Sequence, residues 1–156
     1  MINQKQPALV SSLAIANYFI SRSIQENRPL EHRKLQKLLY IAHGWHLAIT
    51  GNPLLDEDLV AFSFGVVVVG VFRHLIWYGL DPVDELIEIE EETVFNESQI
   101  WVLEKVWLNH GRYSNDDLRD LCKNPNASCL KYYNASPKNV VAIPDEVIAE
   151  SFRILR

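Results

Sequence analysis

The sequence predicts a mainly α fold, a compact single helical domain with two or three short β-strands. Apolar residues recur at helical spacing in several separate segments, and residues that commonly cap or end helices bound each segment. Only two short stretches alternate apolar and polar residues as strands do. The chain has 156 residues, of which 48% are hydrophobic, enough to bury an ordinary core. We predict one domain over residues 1–156, with residues 1–6 frayed.

The first two predicted helices carry the clearest periodicity. One runs from about Ser11 to Glu26, and the second runs from Leu30 to Ile49. In the first helix the apolar residues recur at Leu13, Ala16, Ile20 and Ile24. The second presents one apolar face, formed by Leu35, Leu38, Leu39, Ala42, Trp45, His46 and Ile49. Glu31 takes the N-cap position of the second helix, and Gly51 and Pro53 end it.

The middle of the chain contains the predicted strands. Leu59 to Phe64 alternates as a short strand does, and Leu86 to Glu92, which reads LIEIEEE, is a second candidate. Between them, Val71 to Tyr78 predicts a helix that stops at Gly79. The valines from Val66 to Val69 lie at the junction. Such β-branched residues favour extended structure, yet they lead directly into a helical pattern.

Capping patterns predict three further helices. Asn96 with Gln99 forms one capping box, and Ser114 with Asp117 forms another. A last helix starts at Pro144-Asp145. Together with the earlier elements, these signals account for the helical character of the predicted domain.

Charge and composition limit the classes of function. The formal net charge is −5, which disfavours direct nucleic-acid binding because such proteins need a basic face to displace counterions. Five basic residues do cluster near the second helix, and we interpret them as a solvated helix end: Arg28, His32, Arg33, Lys34 and Lys37. No signal peptide or membrane-spanning apolar run is apparent, so we expect a cytoplasmic protein without a membrane partner.

Candidate metal ligands are few and poorly spaced. His43 and His46 lie three residues apart on one helix, and Cys122 and Cys129 are the cysteines available to complete a site. The cysteine spacing matches no zinc motif, so we expect no metal. We interpret one histidine as a core residue beside Trp45 and the other as a residue at the helix edge.

Catalytic groups are equally sparse. Cys122 with His110 or His43 is the nucleophile and base pairing that the sequence offers, and no sequence context places such a pair together. No phosphate loop or dinucleotide fingerprint occurs, so we expect neither catalysis nor a cofactor. The carboxylates from Asp56 to Asp58 are interpreted as solvating charges in a loop.

One segment, from Leu35 to Gly65, is distinctive as a unit and reads LQKLLYIAHGWHLAITGNPLLDEDLVAFSFG. Its helix motif comprises Leu35, Gln36, Lys37, Leu38, Leu39, Tyr40, Ala42, Gly44 and Trp45. A loop motif follows at Gly51, Pro53, Leu54 and Glu57, and a turn motif at Phe64, Gly65, Val67, Val68, Val71 and Phe72. The combination resembles the Panacea domain, also described as the SocA-like antitoxin or GepA-type phage-associated family. Weaker likeness extends over nearly the whole chain.

The turn motif also departs from the family pattern. Members show an aromatic residue followed by Gly-Pro-Val-Val-Pro, and the two prolines are Val66 and Val69 here. Later family signatures are replaced by Cys122-Lys123 and by the stretch 128–130. From the resemblance we expect Phe64-Gly65 to end a strand and the valines to enter a helix. Because valine favours extended structure, we also expect local extension, and we expect the fold or a partner to cover the valines.

The resemblance implies a non-enzymatic antitoxin that neutralises a toxin by direct protein contact. A related antitoxin is understood to deliver its toxin to a protease. Phages and prophages also carry such genes for defence or counter-defence. An alternative is therefore a phage-encoded inhibitor of a bacterial defence nuclease, in which the acidic stretch from Asp84 to Glu92 mimics nucleic acid. An enzyme using Cys122 or the histidines, and a DNA-binding autoregulator, are weaker alternatives.

The partner-binding residues that we predict surround the valine stretch. Aromatic and aliphatic side chains anchor many protein interfaces, and this stretch is rich in both. The predicted contact residues are Phe62, Phe64, Gly65, Val66, Val67, Val68, Val69 and Phe72. The family motif residues, including Gln36, Lys37, Gly44, Trp45 and Pro53, are expected to be either structural or binding residues. For any single residue, core packing remains the alternative to direct contact.

Overall fold

The computed structural model describes residues 10–62, 65–90, 92–122 and 141–154. This part of the chain contains six α-helices: α1 (Ser12–Gln25), α2 (His32–Thr50), α3 (Val69–Leu75), α4 (Glu97–His110), α5 (Asn115–Cys122) and α6 (Asp145–Ile154). Three strands, β1 (Leu59–Phe62), β2 (Gly65–Val68) and β3 (Val141–Ile143), form one sheet. The predicted mainly α fold with short strands is confirmed. The predicted fraying of residues 1–6 lies outside the described residues.

Helix α2 is the centre of the fold. Of its 19 residues, 15 are buried. It packs against α1, α3, α4, α5, α6 and strand β2. A helix that is covered on all sides cannot separate an apolar face from a solvated one as a surface helix does. The predicted single apolar face therefore understates how much of α2 enters the core.

Helix ends follow the predicted capping chemistry. The side chain of Asn96 accepts a hydrogen bond from the Gln99 N–H at 2.9 Å, and the Gln99 amide accepts one from the Asn96 N–H at 2.8 Å. The Asp117 N–H likewise donates to Ser114 Oγ at 3.1 Å. Each cap satisfies backbone N–H groups that the first helical turn leaves without a partner. Both predicted capping pairs are confirmed.

The sheet is antiparallel, with β1 between β2 and β3. In the hairpin of β1 and β2, Leu59 pairs with Val68 and Phe62 pairs with Gly65. Gly65 has φ +129°, a conformation that L-residues with side chains rarely adopt. Glycine therefore allows the chain to enter β2 immediately after the hairpin turn.

The valine stretch forms a strand where we expected the entry to a helix, so this prediction is wrong for its first three residues. Val66, Val67 and Val68 lie in β2, and α3 begins only at Val69. The β-branched side chains fit a pleated sheet, and this preference outweighs the helical pattern that follows. The expected local extension and coverage by the fold are confirmed, since the three valines are 5%, 2% and 0% exposed.

The stretch from Leu86 to Glu92 forms no strand at its described positions 86–90 and 92, so that prediction is also wrong. It belongs to an irregular segment, described at residues 81–90 and 92–95, that we call the strap. The side chain of Asn17 holds it by accepting from the Ile87 N–H at 2.7 Å and donating to the Ile87 carbonyl at 2.8 Å. A side-chain amide thus replaces the neighbouring strand that the alternating sequence suggested.

A second attachment lies nearer the start of the strap. The Val83 N–H donates to the Leu30 carbonyl at 2.8 Å, and Pro82 forms an isolated bridge with Glu31. Val83 and Ile87 are both buried, whereas the residues between them are exposed. The strap is consequently fixed at these two residues, and Asp84, Glu85 and Leu86 between them face the solvent.

The packing of α2 against α6 allows a sharp test at Gly44. A Cβ atom at this position would lie 2.1 Å from Cε2 of Phe152, well inside contact distance. Alanine normally stabilises a helix interior by about 1 kcal/mol relative to glycine. Here we expect Gly44→Ala to lower the free energy of unfolding by ~1–3 kcal/mol through overpacking. Urea denaturation measures the change.

The matched control combines Gly44→Ala with Phe152→Leu, which makes room for the added methyl group. The double variant should lose less stability than the sum of the two single variants, because the changes share one contact. A Gly44→Ala protein that is more stable than the wild type would contradict this packing of α2 against α6.

Candidate functional site

The structure brings most of the predicted partner-binding residues into the hairpin and the start of α3, but it covers several of them. Val66, Val67 and Val68 are buried. Phe62 and Phe72 are half-buried, as are Gly65 and Val69. Phe64 lies outside the described residues. Direct partner contact by this stretch stays a prediction, and the side chains of the three buried valines are not available on the surface.

The Gln36 side chain fixes the end of the hairpin. Its Oε1 accepts from the Val68 N–H at 2.8 Å, and its Nε2 donates to the Val68 carbonyl at 3.3 Å. The same amide nitrogen lies 3.0 Å from Nε2 of His32, which must accept the hydrogen bond as a neutral imidazole. This motif glutamine thus joins α2 to the point where β2 becomes α3.

Glu57 holds the first turn of α3. One carboxylate oxygen accepts from the Gly70 N–H at 2.6 Å, and the other accepts from the Ser12 hydroxyl at 2.5 Å. A Cβ on Gly70 would lie only 2.3 Å from Glu57 Oε2, so the missing side chain permits this close approach. The interpretation of the loop carboxylates as solvating charges is therefore wrong for Glu57. Its neighbour Asp56 also accepts the Ser12 N–H, at 3.0 Å.

The remaining family motif residues serve the core of the domain. Five of them are 0–4% exposed: Leu35, Leu38, Leu39, Tyr40 and Ala42. Tyr40 and Trp45 each lie 5.3 Å from the Phe152 ring, while Gly44 gives that ring room. Pro53, in the loop after α2, is half-buried and does not take part in these ring contacts. Tyr40, Gly44 and Trp45 thus pack α2 against α6, and the motif leucines belong to the buried core.

The interpretation of the basic cluster as a solvated helix end is wrong for three of its five residues, whereas Arg28 and Arg33 are exposed as expected. His32, Lys34 and Lys37 are 6–8% exposed. The Lys34 ammonium donates to the Gly111 carbonyl, and burial lowers the pKa of Lys34 below its ordinary value. The Lys37 ammonium donates to Asn115 Oδ1 at 2.7 Å. The two lysines link α2 to the end of α4 and the start of α5.

Both central histidines are structural core residues, so the expectation of one at the helix edge is wrong. His43 is 1% exposed and His46 is 2% exposed. Nδ1 of His43 accepts from the Leu55 N–H at 3.2 Å, which leaves Nε2 to donate to Asp145 at 2.9 Å. The proton on His46 lies on the other nitrogen, Nδ1, which donates to a backbone carbonyl at 2.7 Å. The two imidazoles serve different partners.

Among the described residues, no group of three His, Cys, Asp or Glu residues could hold a metal ion. Cys122 ends α5, and Cys129 lies outside the described residues. Nδ1 of His110 is buried and has no hydrogen-bond partner in the described part of the chain, and burial lowers the pKa of His110. In the four described ranges of the chain, no helix is long and apolar enough to cross a bilayer.

The most exposed aromatic surface lies just beyond α3, where we did not predict a contact. Ile76, Trp77 and Leu80 are 54%, 72% and 65% exposed, and we call them with Tyr78 the aromatic turn. The Trp77 and Tyr78 rings stack at 4.2 Å, and Trp77 Nε1 donates to the His74 carbonyl at 3.0 Å. The exposed indole is therefore held in place. The sequence does contain a signal for this exposed surface. In IWYGL, large apolar residues follow one another so closely that one helix face cannot bury them all.

Residues 35–127 match a family described as "Antitoxin SocA-like, Panacea domain". A curated relative, "Antitoxin SocA" of Caulobacter vibrioides (strain NA1000 / CB15N), is 36% identical over 69 residues. That alignment covers 44% of this chain and 37% of the relative. No solved structure matches the chain. The matched range contains α2, the hairpin, α3 and the aromatic turn.

At the start of α3, two adjacent substitutions should differ in their effect on the free energy of unfolding. Val69 is the first residue of the helix, and Val68 before it is already extended with ψ 105°. Proline suits this position, so Val69→Pro should change the free energy of unfolding by less than about 1 kcal/mol. Gly70→Ala should cost ~1–3 kcal/mol because it displaces the Glu57 carboxylate. Thermal denaturation of both variants tests the pair, and equal melting temperatures would contradict the assignment.

The buried histidines predict that stability falls in acid. Burial lowers the pKa of His32 from 6.5 to about 4, and it also lowers the pKa of His46. At pH values between the unfolded pKa of 6.5 and the folded pKa of about 4, the His32 imidazole binds a proton only in the unfolded chain. The stability present above pH 6.5 is therefore lost as the pH falls toward 4. His32 alone should contribute ~2–3 kcal/mol to this loss.

Urea denaturation at several pH values between 4 and 7.5 measures this dependence. His32→Asn should flatten the curve, whereas the matched change at exposed His74, His74→Asn, should leave its slope unchanged. A His32→Asn curve parallel to that of the wild type would show that this imidazole does not carry the effect.

Proposed function

Because the chain belongs to the SocA-like antitoxin family defined by the Panacea domain, we propose that it neutralises a protein toxin by binding it directly, without catalysis. The relative bearing the antitoxin name supports this role, although the alignment covers only part of that protein. The candidate catalytic and metal-binding groups His43 and His46 instead make hydrogen bonds that hold the core together. These observations support a function in which the chain recognises and binds another protein.

The observation that carries the proposal is the aromatic turn. Exposed tryptophan and leucine side chains are costly to leave in water, and Trp is enriched among residues that dominate binding energy. Stacking on Tyr78 and the hydrogen bond to His74 order the Trp77 indole before any partner arrives. Ordering in advance reduces the entropy lost on binding. The aromatic turn follows α3 directly, so it extends the contact predicted near Val69 and Phe72.

Delivery of the bound toxin to a protease is a further step of the proposal. It requires that the antitoxin bind the toxin and the protease through different surfaces. Toxin half-life in cells, compared with and without the antitoxin, separates this step from inhibition by binding alone. Rescue with an unchanged toxin half-life would leave direct inhibition as the mechanism.

The alternative of an inhibitor that blocks a host defence nuclease is favoured by one specific observation. The carboxylates of Asp84, Glu85, Glu88, Glu90 and Glu92 are all exposed along the strap. Such a row can oppose a basic nucleic-acid groove. Affinity capture from host lysate, followed by a nuclease assay with added protein, distinguishes this candidate. Recovery of a nuclease that the protein inhibits would favour it over toxin neutralisation.

A co-expression experiment tests the leading proposal. The gene adjacent to this one is expressed alone and with the wild-type chain, and growth is measured. We expect Trp77→Ala combined with Leu80→Ala to weaken toxin binding by about 100-fold or more, because truncated anchor residues often cost 2 kcal/mol or more each. Growth rescue should fall accordingly. The melting temperature should change little, since both side chains are exposed.

The matched control is Trp101→Ala combined with Leu108→Ala. These residues lie on α4, away from α3 in sequence, and are 50% and 61% exposed. The control pair removes the same two side-chain types and should rescue growth like the wild type. Equal loss from both pairs would contradict the aromatic turn as the contact. If no neighbouring gene is toxic and rescued by the wild type, the proposed function itself is contradicted.

A further inference from the structure

We infer that a second part of the surface, an acidic groove between the start of α1 and the strap, receives an extended, lysine- or arginine-bearing segment of the partner protein. This inference rests on the proposed function, in that the chain acts by binding another protein. It adds the chemical character of the partner and the place where the partner lies.

The charge distribution along the sequence is the first observation. Between Arg73 and Lys105 the chain contains no lysine or arginine. The same stretch carries nine acidic residues: Asp81, Asp84, Glu85, Glu88, Glu90, Glu91, Glu92, Glu97 and Glu104. Local neutralisation by neighbours in sequence is therefore impossible. A surface of this kind attracts a cationic partner and accelerates its association.

The groove itself combines charge with apolar surface. It has a volume of about 690 Å³. Four carboxylate-bearing residues line it, namely Asp56, Glu88, Glu90 and Glu92. Between them lie the apolar side chains of Leu13, Ile89 and Val94, of which Val94 is 85% exposed. Among the described residues that line it, none is lysine or arginine.

The apolar lining selects a protein segment over other cations. A metal ion would engage the carboxylates but would leave Leu13 and Val94 in water. A nucleic acid would bring its phosphates against four carboxylates. A polypeptide that alternates basic and apolar side chains satisfies both parts of the groove. Its volume lies in the range of about 300–1,000 Å³ that holds ligands of a few side chains.

The strap backbone favours an extended conformation in the partner. Residues 88–90 and 92–95 form no strand, and their backbone groups make no backbone hydrogen bond with another described residue. Backbone that lies outside any described strand can accept an added strand, a common way to bind peptides. Glu88 and Glu90 are exposed while Ile89 between them is half-buried. The same alternation in a partner strand would place its basic side chains opposite the glutamates.

The groove also adjoins the region of the predicted contact. Asp56 in its wall precedes Glu57, whose carboxylate joins Ser12 of α1 to Gly70 of α3. One wall of the groove is therefore joined to the first turn of α3 through Glu57.

Fluorescence anisotropy with a labelled probe peptide tests the inference on the full chain. The probe is KVKTKVK, and the control peptide KKKKVTV has the same composition in block order. The groove variant carries Glu88→Gln, Glu90→Gln and Glu92→Gln together. The matched control carries Glu97→Gln, Glu104→Gln and Glu146→Gln, which remove the same charge from exposed positions outside the groove lining. Both variants are checked by thermal denaturation.

We expect the groove variant to bind the probe about tenfold more weakly than the wild type, and the control variant to bind within about twofold. The wild type should prefer the alternating probe over the block peptide. Equal losses in both variants would show a general charge effect and overturn the inference. Absence of probe binding to the wild type would also overturn it. So would a wild-type dimer that the groove substitutions dissociate, because a second copy would then occupy the groove.

Growth rescue separates this inference from the proposed function. If the groove variant rescues growth from the toxin like the wild type, the toxin does not use the groove, and the inference fails while the proposed function stands. If the wild type rescues no neighbouring toxin, the proposed function fails, and the peptide measurements still decide whether the groove binds a cationic segment.

Discussion

The fold depends on the need to satisfy polar groups on a helix that other elements cover on every side. Helix α2 carries buried histidines, lysines and a glutamine, and a buried polar group without a partner costs far more than its hydrogen bond returns. Gln36 therefore binds the end of β2, Lys34 the end of α4, Lys37 the start of α5 and His43 the start of α6. Each bond fixes one neighbour, so α2 sets the arrangement of the domain.

This requirement separates structural residues from recognition residues. The helix motif from Leu35 to Trp45 is directed mainly at other parts of the same chain. The surfaces that we propose for partner binding are instead the aromatic turn and the strap. Both are short, irregular segments fixed at defined points, Trp77 by stacking and a hydrogen bond and the strap by Asn17 and Leu30. Rigid attachment of irregular segments is a frequent arrangement in binding proteins.

Sequence reasoning located elements whose signals are local and missed those that depend on distant contacts. The ends of α1, α2 and α4 follow from caps and apolar spacing within one helix. Strand β3 pairs with β1 some 80 residues away, and no local pattern specifies that pairing. The stretch LIEIE correctly indicates an extended segment with one buried face, but alternation cannot reveal that its backbone partner is Asn17. The predicted helix continued to Tyr78, whereas Ile76–Tyr78 form a 3-10 turn in which Trp77 is exposed.

The Gln36 clamp has a consequence for how such proteins diversify. Because the glutamine recognises the backbone of Val68, it imposes nothing on the side chains that follow along α3 and the aromatic turn. Side chains that the core does not use, such as Trp77 and Leu80, can therefore change while the clamp keeps its geometry. Under the proposed function, a new target would need new side chains on the aromatic turn and no new scaffold.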